Sequence, residues 1–445
     1  MRSISKIAYL TILIALAQVN ASVLTLEDAV REALLSSTQT KIFDEKLVSS
    51  REFENEQRGL LYPNISVYAD AGRGAMPVDT RPFGGAGIVN QSANAFDYGI
   101  KATGPIYTFG KLSTAISMAK LKDESVRLQV KRGKQDLQMQ VIDAYSAVVL
   151  AQAKVQVLRR SRDRSKETFT LLERDFTAGK GMKADVLMAK SSLKSLEPQI
   201  IAAERDADAA RRNLNRLLGR PSQDVTPLDT TAMFASLEED QIPDSQVAFD
   251  NAQKDRADLK SLEVASKVYA GTSTIFQANY YPTIGYMGKF GIKGSEVGQM
   301  VDWVQREWMV GVGMTWNVFD GWGKDGANKA KVASWKSDAR VFDYQASELR
   351  RGIEIEIESA IRDRAAADTS LAATQEGCDA AREAVSLLKA NYPGGMARLS
   401  DVLSAEDGLR NAELGLLAAH FNRTRAMAKL RIVVGRDLVP ISEEK

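Results

Sequence analysis

Trp308-Met309-Val310-Gly311-Val312-Gly313-Met314-Thr315-Trp316-Asn317-Val318 decides the fold. Trp308, Val310, Val312, Met314, Trp316 and Val318 fall on one side of a period of two, against Met309, Gly311, Gly313, Thr315 and Asn317. Alternation of this length predicts a β-strand with one apolar face. Three more segments share the pattern. Ile65, Val67, Ala69 and Ala71 alternate with Ser66, Tyr68, Asp70 and Gly72. Phe96, Tyr98, Ile100 and Ala102 alternate with Asp97, Gly99, Lys101 and Thr103, and Ile284, Tyr286, Phe290 and Ile292 with Thr283, Gly285, Met287, Lys289 and Gly291. The four segments pair up across loops at about residues 73–95 and 295–306, as two hairpins with long outer loops.

Outward from the strands, the chain repeats itself. Tyr62-Pro63 opens the first hairpin and Tyr281-Pro282 the second; Phe109-Gly110 and Phe319-Asp320-Gly321 close them. Phe176-x-x-Gly179 and Asp185-Val186-Leu187 return as Tyr392-x-x-Gly395 and Asp401-Val402-Leu403, and Leu218-Gly219-Arg220 as Val434-Gly435-Arg436. From the tip motif onward the offset is 216 residues. Motifs recurring in order at constant spacing mark a tandem duplication.

Each half reads as helix, hairpin, long helix, glycine turn and returning helix. Residues 24–61 are proline-free and predict one helix starting near Thr25. Residues 111–175 and 322–391 are long, proline-free and helical in period; the face of Leu121, Ser125, Leu128, Arg132 and Gln135 reads as too polar for a core. The helical hairpins reverse at Gly179 and Gly395, Pro198 predicts a kink or break in the first returning helix, and Pro221, Pro227 and Pro243 mark the linker. The division is residues 22–225 for the first repeat (hairpin 62–108, tip 176–187), residues 226–438 for the second (hairpin 281–319, tip 392–403), and a tail at 439–445.

Composition narrows the functions. With one histidine (His420) and one cysteine (Cys378), the chain lacks the ligands of most transition-metal sites and the usual Ser-His-Asp and Cys-His machinery. Lys plus Arg number 59 against 57 Asp plus Glu, a net of +2, which is no footprint for nucleic acid. No nucleotide-binding loop is present and no cofactor is implied. Residues 1–21, with Arg2 and Lys6 ahead of an apolar run and Val19-Asn20-Ala21 at its end, read as a cleaved secretory signal. No other window reads as a transmembrane helix, so membrane entry would have to be as β-strands.

The large residues of each strand then find their partner in lipid: Phe96, Tyr98, Ile100, Tyr286, Phe290, Trp308, Val310, Val312 and Trp316 are the expected lipid-facing set. Four strands leave two edges, and an unpaired backbone group in hydrocarbon costs several kcal/mol. Copies of the chain must complete the sheet, and small inward residues favour twelve strands from three copies over eight from two. The alternative is a periplasmic coiled-coil scaffold or adaptor without a barrel.

Taken together, the tandem halves, the Tyr-Pro strand entries, the Phe-Gly and Phe-Asp-Gly exits and the Gly-x5-Asp-Val-Leu tips resemble the TolC-like outer-membrane channels of efflux and type I secretion, over nearly the whole mature chain. The resemblance implies a mostly α fold with transmembrane β: a homotrimer with a twelve-stranded barrel continued by a long α-helical coiled-coil barrel. It also implies an inner-membrane transporter of the ABC or RND class and a periplasmic membrane-fusion adaptor as partners. On matching positions, Asp401 would ring the pore constriction and Tyr392 would tie one hairpin to Asp185 of the other. An arginine link of the family has no match, since Ala397 stands there beside Arg398, and Ser404 replaces a second aspartate ring. Pattern alone also allows Asp185 and Asp401 to be first-turn carboxylates favoured by the helix dipole. His420 reads as a packing or surface residue and Cys378 as inert rather than reactive, and Met182 and Met396 as turn fillers or adaptable contact surface.

Overall fold

A computed structural model describes residues 23–79, 88–229, 243–294, 306–321 and 326–439; the signal segment lies outside them. The elements are α1 (Leu26–Ser36), α2 (Thr38–Gly59), β1 (Asn64–Asp79), β2 (Ile88–Tyr107), α3 (Lys111–Thr177), α4 (Lys183–Leu218), α5 (Ser245–Asp255), α6 (Ala257–Gln277), β3 (Thr283–Gly294), β4 (Arg306–Thr315), α7 (Ala327–Asn391) and α8 (Leu399–Val433). The described residues are mostly helical, with one four-stranded sheet among them. The chain divides into two units, one of residues up to 44, 130–257 and 349 onward, the other of residues 45–129 and 258–348.

The second unit holds the sheet, antiparallel throughout in the order β1-β2-β3-β4. Val67 stands opposite Ile100, Ile100 opposite Phe290, and Phe290 opposite Trp308. Because the side-chain period is two, this register puts all four apolar sets on one face. The first hairpin is longer than the glycine- and proline-rich sequence suggests. Residues 73–79 and 88–95, expected as loop, continue the ladder.

The first unit is built from residues 130–177 of α3 and 349–391 of α7 with α1, α4, α5 and α8. Its main core joins Val30 and Ala33 of α1, Leu137, Val141, Tyr145 and Val148 of α3, Leu214 and Leu218 of α4, and Met427 and Ala428 of α8. Thr25 caps α1, its Oγ1 accepting the Asp28 N–H at 3.1 Å. The Tyr145 hydroxyl lies 2.8 Å from the carbonyls of both Leu24 and Asp229, and Leu24 pairs in parallel with Leu228, so the start of the second repeat is pinned beside the N-terminal segment. The recurring Gly-Arg is structural: Gly219 ends α4 in the left-handed region (φ 75°), where a Cβ would lie 2.7 Å from the Ser36 carbonyl.

Several expectations need correction. Residues 24–61 form two helices, because Ser37 adopts an extended backbone between them. Pro198 does not break α4; it lies on an exposed face, where solvent takes the carbonyl its ring leaves unpaired. The polar face of α3 does pack: Gln135 is 1% exposed and donates to Asp437 Oδ1 at 2.7 Å, and buried Ser125 donates to the Ser261 carbonyl at 3.5 Å. Nearby Gln138 accepts the N–H of Leu438 and donates to the Val439 carbonyl. One window of α3 is, by length and composition, apolar enough to cross a membrane. More than half of it is buried in the unit's own core, which explains the apolarity without a bilayer.

Candidate functional site

Two regions carry chemistry beyond packing: the helix tips and the two faces of the sheet. At the tips, Gly179 and Gly395 both adopt left-handed φ, 72° and 73°, and their N–H groups close the turns on the carbonyls of Phe176 and Tyr392. The turns bring four helix ends together around Leu172, Ala189 and Leu399, packed by Phe169, Val186, Tyr392 and Leu403. Tyr392 is thus half-buried. Burial, and then the negative charges of Asp185 and Asp175, push its hydroxyl above the ordinary tyrosine range. Asp185 stands within electrostatic reach of Tyr392, with no hydrogen bond between them among the described residues.

Asp401 occupies the third position of α8. Its carboxylate accepts the Arg398 N–H at 3.4 Å and the Ser400 hydroxyl at 3.2 Å, the return half of a capping box. Asp401, Ser404 and the Arg398 side chain are exposed. Asp185 holds the equivalent position in α4 but makes no such bond, and that helix has no side-chain cap.

A residue the sequence did not single out lies five positions past Asp401. Glu406 is 2% exposed, and its carboxylate accepts from Ser165 (3.4 Å) and Thr168 (3.2 Å) of α3 while pairing with Lys389 Nζ of α7 at 2.7 Å. It therefore links three helices. Nothing local marks it, since its partners lie 17, 238 and 241 positions away. Farther along, Arg423 of α8 and Arg364 of α7 converge on Asp368 at 2.6 and 2.9 Å. Burial raises that carboxyl, but the two guanidinium hydrogen bonds outweigh it and hold the group below the usual carboxylate range. Cys378 is buried with Val385 and Leu409, and burial pushes its thiol up, which keeps it inert. His420 is a half-buried helical residue whose carbonyl accepts from Thr424.

On the sheet, most of the large apolar side chains of one face are exposed. Val67 is 82% exposed, Val310 78% and Trp308 72%, and Ile100, Phe290 and Val312 are also exposed; Phe96, Tyr98 and Tyr286 are half-covered by neighbouring strands. Trp316 follows β4, its indole N–H on the Tyr280 carbonyl at 2.9 Å. The opposite face is polar and paired. Lys289 binds Asp97 at 2.7 Å, Tyr68 donates to the same carboxylate at 2.9 Å, and Glu307 lies 3.8 Å from Lys289. A sheet with large apolar groups outward and ion pairs inward suits a wall between lipid and water.

Comparison with known proteins agrees with this arrangement. The outer membrane efflux protein family profile matches residues 49–220 and 248–436, one segment per half. The alkaline protease secretion protein AprF of Pseudomonas aeruginosa is 24% identical over 422 residues, covering 94% of this chain and 85% of its own. Among solved structures, the outer membrane protein VceC of Vibrio cholerae aligns with a TM-score of 0.76 at 17% identity, over 93% of this chain and 96% of that one. The open-state outer membrane channel MtrE of Neisseria gonorrhoeae aligns at 0.74 and 20% identity, over 93% and 89%. With both repeats matched and the sheet and long helices in place, the chain belongs to the outer membrane efflux protein family and is a protein of the outer membrane, extending into the periplasm.

Proposed function

We propose that three copies of this chain form a twelve-stranded barrel continued by a helical cylinder, a passive exit duct without catalysis. The observation that carries the reading is a sheet with one apolar face and two open edges, β1 and β4. In hydrocarbon those edges must pair, and in a ring of copies β4 of one meets β1 of the next. The duplication supports the same ring. Within the chain, α8 packs on α3; the equivalent contact sets α4 against α7 of another copy. Leu187 (56% exposed) and Ile201 (67%) of α4 and Ile355 (70%) of α7 await a partner, whereas the equivalent Leu403, Leu417 and Met139 are at least half-covered.

Asp401, with Ser404 and Arg398, would line the constriction at the tips, and Tyr392 with Asp185 would restrain it. An inner-membrane transporter and a periplasmic adaptor would supply energy and opening. The likeness to AprF along most of both chains favours a secreted polypeptide as cargo. The purified protein in planar bilayers should show low conductance that rises severalfold in Y392F/D401A; an unchanged trace would remove both residues from gating. Expressed in a strain lacking AprF, the chain should return protease to the medium, and its failure there with a functional channel would exclude the polypeptide cargo.

A further inference from the structure

Over the rows from Ile65 to Ala75 the outward face of the sheet carries charge of one sign, at one end; Asp79, also of outward parity, lies beyond them beside the loop. Between Ile65 and Ala75 of β1, and along the facing positions of β2, β3 and β4, the outward charged residues are Arg73 and Arg306. Carboxylates of the same rows, Asp70, Asp97 and Glu307, all have inward parity. Both arginines are exposed, and neither is ion-paired among the described residues.

Their height is set by the register. The strand ends that join helices, near Asn64, Tyr107, Thr283 and Thr315, lie at one end of the sheet, and the hairpin loops at the other. From Trp316 at the helix end to Trp308 is eight residues, about 27 Å of strand at ~3.4 Å per residue. A tilt of ~40° brings this to about 21 Å of height, close to the ~25 Å apolar band of such barrels. Indole rings favour the two membrane–water interfaces. Arg306 is the next outward position beyond Trp308, and Arg73 lies two outward positions beyond Ala69, which shares the Arg306 row. Arg306 therefore stands at the headgroup level of the leaflet nearest the loops, with Arg73 about 14 Å of strand farther toward them. In the closed ring, β4 of one copy adjoins β1 of the next, which puts Arg306 and a second copy's Arg73 on neighbouring strands.

We propose that Arg306 and Arg73 bind the phosphate groups of an anionic lipid in the leaflet nearest the hairpin loops. The inference rests on the barrel reading above. A guanidinium at the interface meets phosphate through paired, charge-assisted hydrogen bonds, and an outward face free of carboxylates over these rows offers that ligand no repulsion. Zwitterionic lipids have no such net charge to offer.

The test is lipid binding by the intact trimer, read by native mass spectrometry with lipid A, its enzymatically dephosphorylated form and phosphatidylcholine. Wild type should retain lipid A in preference to the other two, and R73A/R306A should lose about tenfold in that preference, equivalent to ~1.4 kcal/mol. R73K/R306K should keep part of it, and K101A, on the inward face, all of it. Equal retention of phosphorylated and dephosphorylated lipid by wild type overturns the proposal without needing any variant to fold. So does a K101A loss equal to that of the double arginine variant. A protein that yields no detergent-stable trimer fails the barrel reading instead.

Discussion

The two helical hairpins descend from one ancestral unit, yet are held together by different physics. In the first, α3 and α4 close on an apolar cluster of Val155, Leu158, Ile200 and Ala203, with Arg159–Glu204 exposed on its flank. In the second, α7 and α8 combine an apolar cluster with charge: Asp368 with Arg364 and Arg423, Asp363 with Lys429, and buried Glu406 with Lys389. At the 216-residue offset, Glu406 and Lys389 correspond to Lys190 and Glu173, a charge reversal in which both residues are exposed. Duplication preserved the backbone course while the seams diverged. A buried carboxylate survives only where α3 supplies hydroxyl donors, and the positions equivalent to Ser165 and Thr168 are Ala381 and Ala384.

The comparison is open to attack by mutation, beginning with the apolar seam. Leu158→Ala should cost about 3 kcal/mol, the range for buried Leu truncation, and lower the thermal midpoint equally at low and high salt. A salt-dependent loss would erase the distinction between the halves. Glu406→Leu should cost about 2 kcal/mol, since Ser165, Thr168 and Lys389 lose their shared acceptor, and Glu406→Gln, which keeps acceptors for the hydroxyls, should cost less. Equal costs would mean that shape rather than the acceptor matters there.

Asp368 is partly exposed, so its contribution is smaller and screened by solvent. Its native pKa is depressed, so the stability it adds is present above the unfolded value near 3.9 and disappears as pH falls through the lower native value. Asp368→Asn should therefore flatten the acid limb of a pH–melting curve and leave the neutral limb almost parallel to wild type. An unchanged acid limb would show the pair to be idle. The smallest difference concerns the tips. Asp401→Ala should destabilise by about 0.5–1 kcal/mol through its lost cap, and Asp185→Ala by less than about 0.5 kcal/mol through the dipole alone. Reversal of that order in chemical denaturation would sink the contrast between a carboxylate used by its own helix and one left facing Tyr392.

Legibility followed the range of each interaction. Strand parity, the tip glycines, the Thr25 cap and the repeat were readable because each depends on residues within a few positions or on self-similarity. The long first hairpin was not, because residues 73–79 carry turn-forming types and owe their extension to β2. The same holds for the polar face of α3, which looked solvated until Asp437, 302 positions from Gln135, supplied an acceptor.

Local chemistry alone thus determined which segments are helices and strands, that each strand has one apolar face, and that the chain is two copies of one plan. Tertiary structure decided how the four faces align and which carboxylates are buried. Register and burial are set by partners far away in the chain, and a buried charge such as Glu406 is tolerated only where distant donors converge on it.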